Sequence, residues 1–157
     1  MIMPQTKSTA SASAVRRDAM QVLASAPAQE IARLFSNADF DGDARMLRRP
    51  ETGLVTVRGR IGGGGAPFNV GEATVTRASV RLASGEVGHA YALGRDGEKA
   101  RICAVIDALL QRPGEAEAVE AVILGPLREA QGKATAKRQA ETAATKVEFF
   151  TMVRGED

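Results

Sequence analysis

Apolar positions return along this chain with two different periods, and the change between them divides it. Val15, Ala19, Val22 and Leu23 recur at helical spacing, with Arg16, Arg17, Asp18 and Gln21 elsewhere. This predicts a helix over 15–24. Pro27 suits the first turn of a second helix, with Ser25 or Ala26 near its cap and Ile31, Leu34 and Phe35 as its apolar stripe. The period then falls to two. Val55, Val57, Gly59 and Ile61 share one face of a strand over 54–61, and Thr56, Arg58 and Arg60 the other. Four glycines, 62–65, end it. A segment around Phe68 and Val70 leads to a second strand over 72–82. There Ala73 and Val75 sit at odd positions but Ala78, Val80 and Leu82 at even ones. One extra residue near Thr76-Arg77 would restore a single apolar face, so a bulge is expected there. After a turn at 83–86, a strand over 87–93 carries Val87, His89, Tyr91 and Leu93 on one face. The other face, Gly88, Ala90 and Ala92, is nearly bare, which would allow close approach of a helix or another chain.

The helical period returns at 98–111, where Ile102, Cys103, Val105, Ile106, Leu109 and Leu110 form a wide apolar face. Pro113-Gly114 breaks it. A shorter helix over 115–124 points Ala118, Val119, Val122 and Ile123 inward, and Gly125-Pro126 breaks the chain again. The stretch 127–146 has high helix propensity, yet beyond Leu127 its apolar side chains are all alanines. Such a helix buries little in its own domain and reads as a solvated arm or a surface against a partner. Residues 147–155 are apolar on both strand faces, and so dense an apolar segment needs cover. The expected fold is α+β: N-terminal helices, a small antiparallel sheet, C-terminal helices and a terminal extended segment.

At 157 residues the chain is long enough for one domain with a real core. The division expected is a disordered lead-in over 1–14, which is rich in Ser, Thr and Ala, and a single domain over 15–157. There is no run of 18 apolar residues for a membrane span and no apolar run of secretory type near the start. With a single cysteine, this points to a cytoplasmic protein. The lone Cys103 excludes an intrachain disulfide, and the lone His89 any two-histidine site. Net charge is +2, from 21 basic and 19 acidic residues that interleave, and aromatics are 4%. No nucleic-acid partner is expected from that balance.

Self-sufficient chemistry is thin. Residues 62–65 could offer backbone amides to a phosphate, but Ala66-Pro67-Phe68 follows where a Walker loop has its Lys and Ser or Thr. A hairpin tip explains them as well. His89 has the right intrinsic pKa for acid–base work, but lies mid-strand. Cys103 falls on an apolar helix face, where a thiol behaves as a small hydrophobe. Asp107 lies at the margin of that face and reads as a pairing or capping group. Asp39, Asp41 and Asp43 resemble a calcium-loop fragment, but the glycine is misplaced and Pro50 stands where the closing Glu belongs. No metal site is expected.

Several stretches together resemble one family. They are Glu51-Thr52-Gly53-Leu54-Val55, Arg60-Ile61-Gly62-Gly63, Gly71-Glu72-Ala73-Thr74-Val75-Thr76-Arg77-Ala78 and Gly94-Arg95-Asp96, followed by Cys103-Ala104-Val105-Ile106-Asp107-Ala108-Leu109 and Arg138-Gln139-Ala140-Glu141. The most specific is the closing Phe149-Phe150-Thr151-Met152-Val153-Arg154-Gly155. From about Arg17 onward the chain resembles the PhnG subunit of the bacterial carbon–phosphorus lyase system. The resemblance implies a small α+β subunit of a core complex with PhnH-, PhnI- and PhnJ-like partners, served by PhnL- and PhnK-like ATPase components. It implies support for making α-D-ribose 1-methylphosphonate 5-triphosphate from ATP and methylphosphonate with release of adenine, PhnI being regarded as the catalytic centre. ATP is then a substrate of the complex, and no cofactor is expected on this chain alone. No catalytic residue is carried over.

Two uses of the chain are therefore expected. As an interface subunit, it would anchor through Phe149, Phe150, Met152 and Arg154, types enriched at interface cores. As a phosphate- or phosphonate-binding component of a shared active site, it would contribute Arg60, Gly62, Gly63, Arg77 and Arg95, arginine being suited to bidentate oxyanion contact.

Overall fold

A computed structural model describes residues 6–40 and 43–145. Two helices, α1 (Thr6–Ser25) and α2 (Ala28–Asn37), precede a sheet of β1 (Ala44–Arg60), β2 (Pro67–Leu82) and β3 (Val87–Leu93). The helices α3 (Gly97–Leu109), α4 (Pro113–Val119) and α5 (Gly125–Ala144) follow. The sheet is antiparallel in the order β1-β2-β3. The α+β class is as expected; the terminal extended segment lies outside the described residues.

The core is three layers deep, with α3 in the middle. One side of α3 lies on the sheet, and α1, α2 and α4 pack on the helix from elsewhere. Ala100 and every residue from Ile102 to Leu109 are buried, which is why α3 shows a broad apolar surface rather than one stripe. Asp96 caps it, accepting the Lys99 backbone N–H at 2.8 Å. The bare face of β3 is the seat of this helix: Gly88, Ala90 and Ala92 are buried against it. Lys99 closes the opposite layer, its Nζ donating to the carbonyls of Ala24 and Ala26 at 2.9 and 2.8 Å where α1 ends.

Several local expectations change. The helix expected from Val15 starts at Thr6, and Pro27 is the N-cap of α2 rather than a residue of its first turn. The strand expected over 54–61 begins at Ala44 and pairs with one continuous β2. Arg48-Arg49-Pro50 hid that extension, since Pro is unusual inside a strand; it is accommodated in β1, an edge strand, by irregularities between Met46 and Arg48 and between Arg48 and Glu51.

The bulge expected at Thr76-Arg77 is therefore on the facing strand, and β2 pairs with β3 without interruption. The conflict of phase has a chemical answer instead. Thr76 points inward with Ala78, Val80 and Leu82, and its hydroxyl donates to the Gly94 carbonyl at 2.8 Å. Having given its proton there, it accepts from the Thr52 hydroxyl at 3.0 Å.

The break expected at Gly125-Pro126 does not occur. A π-helical turn, Glu120–Leu124, joins α4 to α5. The wider turn lets the Gly125 N–H bond the Glu120 carbonyl and eases the clash a proline makes with the preceding turn of an ordinary helix. The same change of phase leaves Val122 exposed, not inward, while Ile123 and Leu124 are buried.

Candidate functional site

Two features stand away from the core. The first is the outer face of the sheet, opposite α3. Here Arg48 faces Ser79, which faces His89; in the adjoining row Glu51 faces Arg77, which faces Tyr91. Ser79 Oγ lies 2.8 Å from His89 Nδ1. Glu51 Oε2 accepts from Arg48 Nη1 at 2.8 Å and from Arg77 Nη2 at 3.2 Å. The Tyr91 hydroxyl first, and Glu51 second, push the Arg77 pKa above its ordinary value, and Arg48 and Arg77 hold the Glu51 carboxyl below the usual carboxylate range. Arg48, Arg77, Ser79, His89 and Tyr91 line a shallow depression of about 310 Å³. His89 is anchored from behind. Its backbone N–H donates to Asp107 Oδ2 at 2.9 Å, and Asp107 takes two further bonds from Arg16, at 2.9 and 2.6 Å. Asp107 is thus the pairing group its position suggested.

The second feature is an arm. Beyond Thr74 the β1–β2 ribbon has no β3 beside it and runs on to a tip at 61–65. Leu54, Val57, Ile61, Phe68 and Val70 are exposed along it, Ile61 at 76%. The four glycines are the hairpin tip. Gly62 has φ +61°, a conformation that glycine adopts without strain. Arg60 Nη1 donates to the Gly65 carbonyl at 2.8 Å and closes the tip. The alanine-rich α5 is likewise uncovered: Leu127 is buried, but every residue from Gly132 to Thr145 is exposed.

The five residues expected to meet phosphate are spread out. Arg60, Gly62 and Gly63 are at the tip, and the strand between Glu51 and Arg60 puts roughly 30 Å between that tip and Arg77. Arg95 stands in the turn from β3 to α3. The structure gathers around Arg77 a different set: Arg48, Ser79, His89 and Tyr91. No spacing within one strand announces that set, because its members meet only through cross-strand register. Phe149, Phe150, Met152 and Arg154 lie outside the described residues.

Cys103 is buried, and burial pushes its thiol up to about 11. The raised value favours the neutral thiol in the folded state. This stability is complete below the unfolded value near 9 and is lost as pH rises towards 11, amounting to about 2–3 kcal/mol. The folded protein should therefore resist iodoacetamide at about pH 8 and react once unfolded in guanidinium. Cys103→Ala should flatten the alkaline stability profile; rapid alkylation of the native protein would contradict this burial. Among the described residues no group of three or more His, Cys, Asp or Glu is placed to hold a metal ion, and no helix is long and apolar enough to cross a membrane.

Comparison with known proteins finds a family and a similar named protein. The family described as "Phosphonate metabolism protein PhnG" matches residues 14–155. The chain is also 52% identical over 145 residues to a protein of Rhizobium meliloti (strain 1021), covering 92% of each. That relative is named alpha-D-ribose 1-methylphosphonate 5-triphosphate synthase subunit PhnG.

Proposed function

The chain belongs to the PhnG family of phosphonate metabolism proteins, and from this we propose that it is a subunit of α-D-ribose 1-methylphosphonate 5-triphosphate synthase, within the carbon–phosphorus lyase system. The complex would use ATP and methylphosphonate as substrates and release adenine. This chain would serve it as an accessory subunit, joined to PhnH-, PhnI- and PhnJ-like partners and served by PhnL- and PhnK-like components, in the cytoplasm. It would carry no cofactor of its own.

The observation that carries the reading is the arm. An isolated two-stranded ribbon is marginal in water, and this one presents large apolar side chains to solvent. A partner subunit supplies the missing cover. The apolar segment with Phe149, Phe150, Met152 and Arg154 is proposed as a further anchor into the PhnI-like partner. In the second reading, a phosphate-binding contribution to a shared site, Arg77 is the member with polar neighbours gathered around it; Arg60, Gly62, Gly63 and Arg95 would depend on a partner to bring substrate to them.

The test is co-expression of the tagged full chain with the genes flanking its own, followed by light scattering on the purified product. A stable hetero-oligomer that releases adenine from ATP and methylphosphonate is the expected result. A monomer that retains none of its neighbours would overturn the assignment.

A further inference from the structure

The bulges of β1 do more than accommodate Pro50. Met46 faces Val80 on the core side of the sheet. Continued without a bulge, β1 would set Arg48 opposite Ala78, on the same inner side. The irregularity between Met46 and Arg48 instead sets it opposite Ser79, on the outer face. The second irregularity, between Arg48 and Glu51, brings Glu51 opposite Arg77. One row further along, Arg45 lies directly opposite Arg81. Like charges facing each other across a strand pair are unfavourable. Three consecutive rows thus place four guanidinium groups and the His89 imidazole on one face, and within those rows a single carboxylate, Glu51, answers them.

We propose that this face, formed by Arg45, Arg48, Arg77 and Arg81 with Ser79 and His89, is a binding site for a small molecule held through a polyphosphate chain. Arginines suit bidentate contact with phosphoryl oxygens. The bond from Ser79 to Nδ1 leaves Nε2 as the His89 ring atom available to a ligand. From Arg77 to Arg81 the site runs roughly 13 Å along the strand, room for several linked phosphoryl groups. A patch of this extent on a chain of net charge +2 fits a compact polyanion better than a nucleic-acid duplex. The inference rests on the sheet alone and does not depend on the synthase assignment.

The probe is inorganic tripolyphosphate, titrated into the full chain at about 0.15 M salt. Calorimetry gives the affinity. Because His89 is the sole histidine, its ring protons give an uncrowded magnetic-resonance signal from within the site. Saturable binding at one site per chain, with movement of the His89 signals, is expected. The double variant Arg77→Gln/Arg81→Gln should weaken binding at least ~10-fold, by counting two lost charge-assisted contacts. Arg33→Gln on α2, away from the sheet, should bind as the parent does. Both variants should melt as the parent does, since all three side chains are exposed. No saturable binding, equal weakening by Arg33→Gln, or unmoved His89 signals at saturation would overturn the proposal. So would tighter binding of a short DNA duplex than of tripolyphosphate. Because the chain is tested without partners, any of these results leaves the synthase reading standing.

Discussion

Gly88→Ala should cost at least about 3 kcal/mol, enough to unfold much of the protein at physiological temperature. A Cβ at this position would come within 1.9 Å of the Ala104 carbonyl oxygen, 2.7 Å of the Ala108 nitrogen and 2.9 Å of Ala108 Cβ. The first two are backbone atoms of the buried central helix, so no side-chain rotation relieves them. Either α3 lifts from the sheet or β3 bends away, and both open the core. Two companions isolate this cause. Ala108→Gly removes only the third contact and should not rescue the variant. Gly71→Ala, also in a strand, meets nothing within 4 Å and should change stability little. Urea unfolding followed by circular dichroism measures all three; a Gly88→Ala protein as stable as the parent would mean that α3 does not sit on β3 as described.

The second large effect is expected at the pair behind the sheet. Asp107 is 3% exposed, whereas the Arg16 side chain retains 35%. The two are therefore not equivalent. Arg16→Ala strands a buried carboxylate with the His89 N–H as its remaining donor, and should cost about 3 kcal/mol. Asp107→Asn keeps an oxygen for that N–H and lets Arg16 turn to water, so about 1–2 kcal/mol is expected. The cycle through Arg16→Ala/Asp107→Ala should show strong coupling, the double variant losing much less than the sum of its singles. Additive losses would show that the pair is decorative. Because Asp107 also fixes the His89 backbone, ring signals of His89 should broaden or shift in Asp107→Ala.

The elements most legible in the sequence were those whose period and packing agree. Gly88, Ala90 and Ala92 alternate with larger residues and sit where a helix presses on the sheet; the chain could hardly advertise close approach more directly. The α5 surface was legible for the opposite reason, since a run of alanines has little to bury. What misled was local punctuation overruled by tertiary context. The strand expected from Leu54 runs back through Pro50 to Ala44, because an edge with bulges holds the proline. Gly125-Pro126 looked like the end of a helix, but a π turn carries the chain through. The Thr76 conflict was real, and its site was right, yet a hydroxyl relay resolved it instead of an inserted residue. The arginine face was out of reach altogether. Arg45, Arg48, Arg77 and Arg81 are scattered among acidic residues in the sequence, and only cross-strand register, shifted by two irregularities, sets them side by side.

The long reach of the contacts holding α1 has a consequence for how the chain acquires its shape. Arg16 waits for a residue 91 positions later, and Asp18 is bridged by Arg128, 110 positions on. Gln131 reaches back across 109 to the Val22 carbonyl at 2.7 Å. At a synthesis rate of about 5–20 residues per second, the first helix emerges roughly 5–20 s before its last partners exist. The β1–β2 hairpin, whose strands are neighbours in sequence, can zip in microseconds once both are out. The nascent chain should therefore hold its ribbon early and close its amino-terminal helix over the core last. In the finished protein the order runs backwards: the amides of α1 should trade their hydrogens for deuterium before those of β2 and α3 do.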